Sequence, residues 1–170
     1  MLSKKMQDRM NEQIRNEFHS AYVYLSMAAW FEDANLPGFG AWMRAQAQEE
    51  SVHAMKLFEH MLDRNAAVRL QAIPEPPARW KSPLAVFEEA LEHERSVTAS
   101  INDLYATAMK EQDFASRVFL DWFVNEQVEE EKSAQLIVEQ LRMVGNDRPG
   151  LLMLDREYGQ RRGAPAHDGD

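Results

Sequence analysis

Cysteine is absent from the 170 residues. That excludes disulfides, thiolate metal sites and cysteine nucleophiles. Glycine and proline are scarce, with seven of each, and the stretches 1–36, 41–73 and 84–144 hold neither. Such lengths without a breaker, rich in Glu, Gln, Ala, Leu and Met, read as helix. Strand-like alternation of useful length is missing too. Basic charge is in short supply, 19 Lys+Arg against 28 Asp+Glu, for a formal net charge of −9. This argues against nucleic acid and anionic membranes as partners, since both want basic patches, and it suits a protein that attracts cations. No run approaches a membrane span, and Met1-Leu2-Ser3-Lys4-Lys5-Met6 has no apolar segment behind its charges. A soluble cytoplasmic protein is the expectation. The length suits one domain with a sizeable core, expected over 1–162. The small polar segment 163–170 is expected to be a mobile tail.

The breaks that do occur divide the chain. Asn35-Leu36-Pro37-Gly38 separates a helix predicted over 6–33 from one over 39–65. Ser82-Pro83 opens a third, with Ser as N-cap and Pro at the first helical position, running to about 111. Asp113 can cap a fourth that stops at Gly145-Asn146, and a short fifth fits 149–160. Each long helix carries an apolar seam with steps of three and four. The third, for example, reads Leu84, Phe87, Leu91, Glu94, Thr98, Ile101, Tyr105. Four such helices imply an all-α four-helix bundle. Short first and third connections make two antiparallel hairpins. The middle connection, 66–82, contains Pro74, Pro76 and Pro77. Extended, it reaches about 56 Å at ~3.3 Å per residue, against roughly 42 Å for a 28-residue helix. It can therefore run the length of the bundle as one long crossover.

The chemistry lies in what interrupts the seams. Each seam carries one mid-helix glutamate: Glu17, Glu50, Glu94 and Glu130. In antiparallel helices, mid-helix positions meet at one depth. A lone buried Glu is usually an ion pair, but no Lys or Arg lies on these seams. An unpaired buried carboxylate costs several kcal/mol, and buried charges are normally paired or bound to metal. Four negative charges match two divalent cations. His53, three residues after Glu50, shares its helical face. Mostly oxygen ligands with one imidazole suit iron better than a sulfur-rich zinc site, with Mn and Zn still open. His19, His60, His93 and His167 read as surface residues. Glu49, Glu126 and Glu129 flank the seams, and their bland reading is a solvated acidic face.

Glu17 with Tyr24, Gln48-Glu49-Glu50 with His53-Ala54, Leu36-Pro37-Gly38-Phe39, and Asn125-Glu126-Gln127-Val128-Glu129-Glu130-Glu131 together resemble the prokaryotic non-haem ferritins. The resemblance spans about residues 6–160. It implies a ferritin-like four-helix bundle whose fifth helix packs at a four-fold axis of a 24-subunit octahedral homo-oligomer. It implies a ferroxidase that oxidises Fe(II) with O2 or peroxide and stores Fe(III) as mineral. Two irons per subunit are implied: one on Glu17, Glu50 and His53, the other on Glu50, Glu94 and Glu130, with Glu50 bridging. Gln127 and Tyr24 would support them, and Tyr24 would donate an electron. Glu49, Glu126, Glu129 and Glu130 would form a third iron site.

Departures sharpen the expectation. Bacterioferritins carry a haem-ligating Met after the Glu of the first Glu-x-x-His, where this chain has Ser51, so no haem is expected. Their second Glu-x-x-His is replaced by Gln127 and Glu130. Animal ferritins have acidic three-fold pores, and alignment puts Arg117 and Leu120 there. Two rivals are a di-iron oxygenase or peroxidase of the same fold, which usually carries two Glu-x-x-His steps, and a shell subunit without an oxidation site, which would lack the seam carboxylates.

Overall fold

A computed structural model describes residues 2–160. The segment 163–170 lies outside the described residues, as does His167. Five helices follow one another: α1 (Lys4–Asp33), α2 (Pro37–Asp63), α3 (Pro83–Lys110), α4 (Phe114–Val144) and α5 (Arg148–Gln160). Their ends fall within two residues of those expected. Three starts are capped by side chains: Ser3 Oγ accepts from Met6 N–H, Ser82 Oγ from Ala85 N–H and Asp113 Oδ1 from Ser116 N–H. Asn35, Asn65, Gln112 and Gly145 have φ between 53° and 59° and stand just past α1, α2, α3 and α4. A left-handed residue there turns the chain off the last carbonyls.

α1 packs most extensively on α2, and α3 on α4. Two apolar cores form at opposite ends of the bundle. One joins Met6, Met10 and Ile14 of α1 to Leu57 and Met61 of α2, Ile101 and Leu104 of α3, and Leu120 and Phe123 of α4. The other joins Met27 and Phe31 of α1 to Phe39 and Met43 of α2, Phe87 of α3, Ile137 and Leu141 of α4, and Tyr158 of α5. The late half of α2 thus meets the late half of α3, so these two helices are parallel. Only a connection running back along the bundle permits that. Residues 64–82 do so, pinned to α1 near both ends. Asn11 donates to the Ala67 carbonyl at 3.1 Å and accepts from Arg69 N–H at 2.6 Å. Ser26 donates to the Pro77 carbonyl, and Trp80 meets Trp30 edge-on at 6.3 Å.

The seam of α3 corrects the expected one. Val97 and Leu104 are buried, whereas Thr98 and Tyr105 are half-buried. The hydroxyls of the latter two reach α4, to Glu131 and Asp121. Hydroxyl-bearing residues sit at the rim of the apolar stripe, where their O–H finds an acceptor.

α5 is tied to the start of α2. Leu36 offers no side-chain cap there, and the Phe39 N–H donates instead to Asp155 Oδ1 of α5 at 2.8 Å. The Tyr158 ring stacks on Phe39 at 5.9 Å between centroids. Glycines allow the approach: a Cβ on Gly38 would collide with the Asp155 backbone, and one on Gly159 would come within 2.7 Å of Gly38 Cα. α5 is therefore part of the core. Gly38→Ala should cost roughly 2 kcal/mol or more, in the range of overpacked cores. Gly40→Ala should cost less, because the tightest contact of its Cβ is the end of the Glu32 side chain at 3.1 Å, with the Ala28 carbonyl oxygen at an ordinary 3.5 Å. Thermal unfolding of both variants checks the order, and an equal or smaller effect at Gly38 would contradict the fit.

Candidate metal centre

Between the two apolar cores lies a polar layer. Each helix of the bundle delivers its mid-seam glutamate: Glu17 from α1, Glu50 from α2, Glu94 from α3 and Glu130 from α4. All four are buried, Glu94 completely. His53, Gln127 and Tyr24 are buried with them. The layer follows from helix geometry: antiparallel hairpins bring mid-helix residues to one depth, and the seam period points them inward.

Neutral groups hold three of the carboxylates. Gln13 Nε2 donates to Glu17 Oε1 at 2.8 Å, and Gln46 Nε2 to Glu130 Oε2 at 2.7 Å. Tyr24 O–H donates to Glu94 Oε1, while Gln127 Nε2 reaches Glu94 Oε2 at 3.2 Å and Thr98 Oγ1 at 3.2 Å. Glu50 is the exception. No amide, hydroxyl or backbone N–H donates to either of its oxygens or to Glu17 Oε2, which leaves only a proton shared between the two carboxyls themselves. His53 Nδ1 lies 3.6 Å from Glu50 Oε2. The rings of Trp122 and Phe123 enclose the imidazole edge-on, with centroids 5.3 and 6.1 Å away.

Ligand atoms of Glu17, Glu50 and His53 lie within 4.8 Å of one another. A second group of the same compactness joins Glu49, Glu126 and Glu130 to His53. Glu94 belongs to neither group but faces both, since its charge acts on Glu17, Glu49, Glu50 and Glu130. Glu129 stays outside the second group. Its side chain is 67% exposed and lies 3.9 Å from Lys132 Nζ.

The electrostatics follow from burial without cations. Burial raises the Glu17 carboxyl from 4.5 to about 7; the hydrogen bond from Gln13 opposes this, as does a proton shared with Glu50 when Glu50 is protonated, and the nearby Glu94 charge adds to the rise. Burial, then Glu94, Glu17 and Glu130, push Glu50 well above the usual carboxylate range. Glu130 is pushed well above that range by burial and by Glu94, Glu49 and Glu126. Glu49 rises to about 7 by burial and the Glu126 charge. Burial, helped by Lys56, lowers His53 from 6.5 to about 4, so its imidazole is neutral near pH 7 with a nitrogen lone pair to offer. The layer can take up divalent cations, which would replace the protons.

Two glutamines escaped the sequence reading. Gln13 stands four residues before Glu17, and Gln46 four before Glu50. That spacing puts each on the seam face, and a polar residue there was the available signal. The histidine expectation needs correcting as well. His93 is half-buried, with Nε2 2.7 Å from Ser20 Oγ, and half-buried His60 stacks on Phe119 at 3.9 Å.

Comparison with known proteins gives a consistent picture. The sequence profile of the ferritin-like domain family matches residues 7–144. A bacterial non-heme ferritin of Bacteroides fragilis is 40% identical over 161 residues, covering 95% of this chain and 100% of that protein. One of Campylobacter jejuni is 40% identical over 156 residues, covering 92% and 93%. Among solved structures, an open pore ferritin from the archaeon Archaeoglobus fulgidus superposes with a TM-score of 0.94 at 51% identity, covering 95% of this chain and 100% of that one. An engineered closed form of the Archaeoglobus fulgidus ferritin gives 0.95 at 51% identity, covering 96% and 100%.

A pH dependence follows from the raised carboxyls. A carboxyl whose pKa is higher folded than unfolded favours folding least when ionised. Its cost is absent below about pH 4.5 and grows as pH rises through about 7. Chelator-treated protein should therefore lose stability across that window. Glu17→Gln removes one contribution. A rise from 4.5 to about 7 corresponds to roughly 3 kcal/mol at about 1.4 kcal/mol per pH unit. The variant should gain on the order of 1–3 kcal/mol at pH 8 and little at pH 4. Unfolding midpoints at the two pH values decide, and a difference that does not change with pH would oppose the account.

Proposed function

The chain belongs to the ferritin family, and from that membership we propose that its polar layer is a two-iron oxidation centre serving an iron store. Ferritins of this kind are iron-storage proteins with ferroxidase activity, and the carboxylate and histidine groups suit that activity. The observation that carries the reading is Glu50, a buried carboxylate with no amide, hydroxyl or backbone donor on either oxygen, beside the equally bare Glu17 Oε2 and a neutral His53. A group so costly to bury is accounted for by a cation.

In this proposal Glu17, Glu50 and His53 take one Fe(II), and Glu50, Glu94 and Glu130 take the other. Glu50 bridges them. Tyr24 and Gln127 orient Glu94, and Tyr24 stands ready to supply an electron. Both irons are substrate. Each gives up one electron, so O2 plus two protons leaves as hydrogen peroxide, or peroxide plus two protons leaves as two waters. Anionic oxygen ligands favour Fe(III) over Fe(II), which makes the loss downhill. Glu49, Glu126 and Glu130 would form a third position on the way out, with His53 in reach of it. Glu129, expected there, would need a new rotamer to join. Haem has no part in the proposal. Ser51 stands where a thioether ligand would be needed, and its hydroxyl donates to the Ala47 carbonyl at 2.9 Å.

The proposal extends to a cytoplasmic shell of 24 subunits with octahedral symmetry. No helix among the described residues is long and apolar enough to cross a membrane. Ferritin relatives form cages, and this subunit leaves Tyr22 and Leu25 of α1 about half exposed, at 54% and 50%. Such apolar surface is what a second subunit covers. Native mass spectrometry should show a hollow particle, with 24 subunits as the expected count. A monomer or dimer as the sole species would defeat the shell.

The centre is tested by stopped-flow oxidation at two Fe(II) per subunit. Glu50→Ala should lower the rate at least ~100-fold, since both metals lose an oxygen and their spacing, about 3.5–4 Å in two-metal sites, is no longer fixed. Glu94→Ala should weaken one metal more than the other and slow oxidation less. Circular dichroism should show folding intact in both. Wild-type rates in Glu50→Ala would show the centre to be misassigned.

A further inference from the structure

The four carboxylates are not held alike, and the difference has a pattern. Glu17 and Glu130 each receive one amide on one oxygen. Glu17 then has a second oxygen, Oε2, that is buried and bare. A carboxylate held this way cannot spin about its Cγ–Cδ bond without breaking a short hydrogen bond, so one oxygen stays presented and the other stays occupied.

The holding amides are themselves held or buried. Gln13 Oε1 accepts from Ser100 Oγ of α3, and Asn16 Nδ2 lies 3.4 Å from the same hydroxyl. Accepting through its oxygen forces Gln13 to aim its NH2 at Glu17. Gln46 is buried, and it reaches across from α2 to α4 rather than to Glu50 on its own helix. The chemistry of the donor matters. A lysine or arginine here would cancel the charge a cation needs. An amide fixes the carboxylate and leaves its charge in place.

Resting on the two-iron reading above, we infer that Gln13 and Gln46 are positioning residues, each setting one outer carboxylate as a one-oxygen ligand, and each acting on a different metal. Gln13 governs the metal on Glu17, Glu50 and His53. Gln46 governs the metal on Glu130, together with the outward group of Glu49, Glu126 and His53 that shares this carboxylate. Supporting partners of metal ligands commonly govern affinity by about 10- to 100-fold.

Co(II), which O2 does not oxidise in such ligands, is the probe. Wild type, Gln13→Met and Gln46→Met are titrated as assembled protein by calorimetry and by visible absorption, whose intensity reports coordination number. Methionine keeps the length and removes the donor. Wild type should bind two Co(II) per subunit at the paired sites, resolved by affinity from any third at the outward group of Glu49 and Glu126. Gln13→Met should weaken one of them at least ~10-fold and Gln46→Met the other, each changing a different part of the absorption. A merely structural role would lower the unfolding midpoint and weaken both metals together, and that result overturns the inference. So does an unchanged spectrum with unchanged affinities. If a Met variant does not fold, Asn at that position keeps the polarity and withdraws the amide by one methylene; it should give the same site-selective loss, and wild-type binding there also overturns the inference. Absence of bundle-bound Co(II) in wild type, or full binding in Glu50→Ala, would instead reject the two-iron reading itself.

Discussion

The fold is arranged around buried carboxylates that no lysine or arginine among the described residues neutralises. Among the described residues, the only basic side chain within ion-pair distance of Glu50 is His53, and that imidazole is neutral near pH 7. The other neighbours that touch the layer are amides, a phenol and a hydroxyl. Such a layer repels itself and resists burial, so it persists only if the rest of the fold overrules it. Two apolar cores, one at each end, supply that constraint. Large rings and methionines on both sides leave the glutamates nowhere else to go. Stability at the ends is set against strain in the middle, which bound cations would relieve.

Rigidity of the frame matters for the same reason. Carboxylates that repel one another would splay if their helices could slide. α1 and α2 are fixed by a short turn, α3 and α4 by another, and the strap of 64–82 ties the far ends together along α1. α5 locks the start of α2 with an acid group on its backbone and a tyrosine in the core. Each tether lies away from the polar layer, and each limits how far a carboxylate can drift.

How much of this was legible beforehand depended on incongruity. A glutamate on an apolar seam stands out, and four at one depth stand out more, so the main ligand candidates could be read directly. The helix ends were legible because Ser82, Asp113, Gly145 and the Asn35 turn carry local signals. Gln13 and Gln46 were not, because glutamine is an ordinary helix-surface residue and nothing in its charge marks it. The α3 register slipped between Val97 and Thr98 because both fit a stripe with steps of three and four. Glu129 illustrates the limit on a helix face: it sits next to Glu130 in sequence but about 100° away around the axis, and its side chain turns to solvent. Family resemblance grouped it with its neighbours, while helical geometry separates it from them.

The two hairpins divide the chemistry in a way that bears on how the protein is made. The first hairpin holds Glu17, Glu50 and His53, and the second holds Glu94, Gln127 and Glu130. A chain emerging from the ribosome completes the first group early. It lacks the opposing carboxylates until residue 130 has cleared the exit tunnel. A chain that ends before the second hairpin carries two of the four carboxylates and the imidazole, and lacks the other two. The full set of four carboxylates therefore exists only once the second hairpin has packed on the first, so formation of the layer is itself a report of that packing.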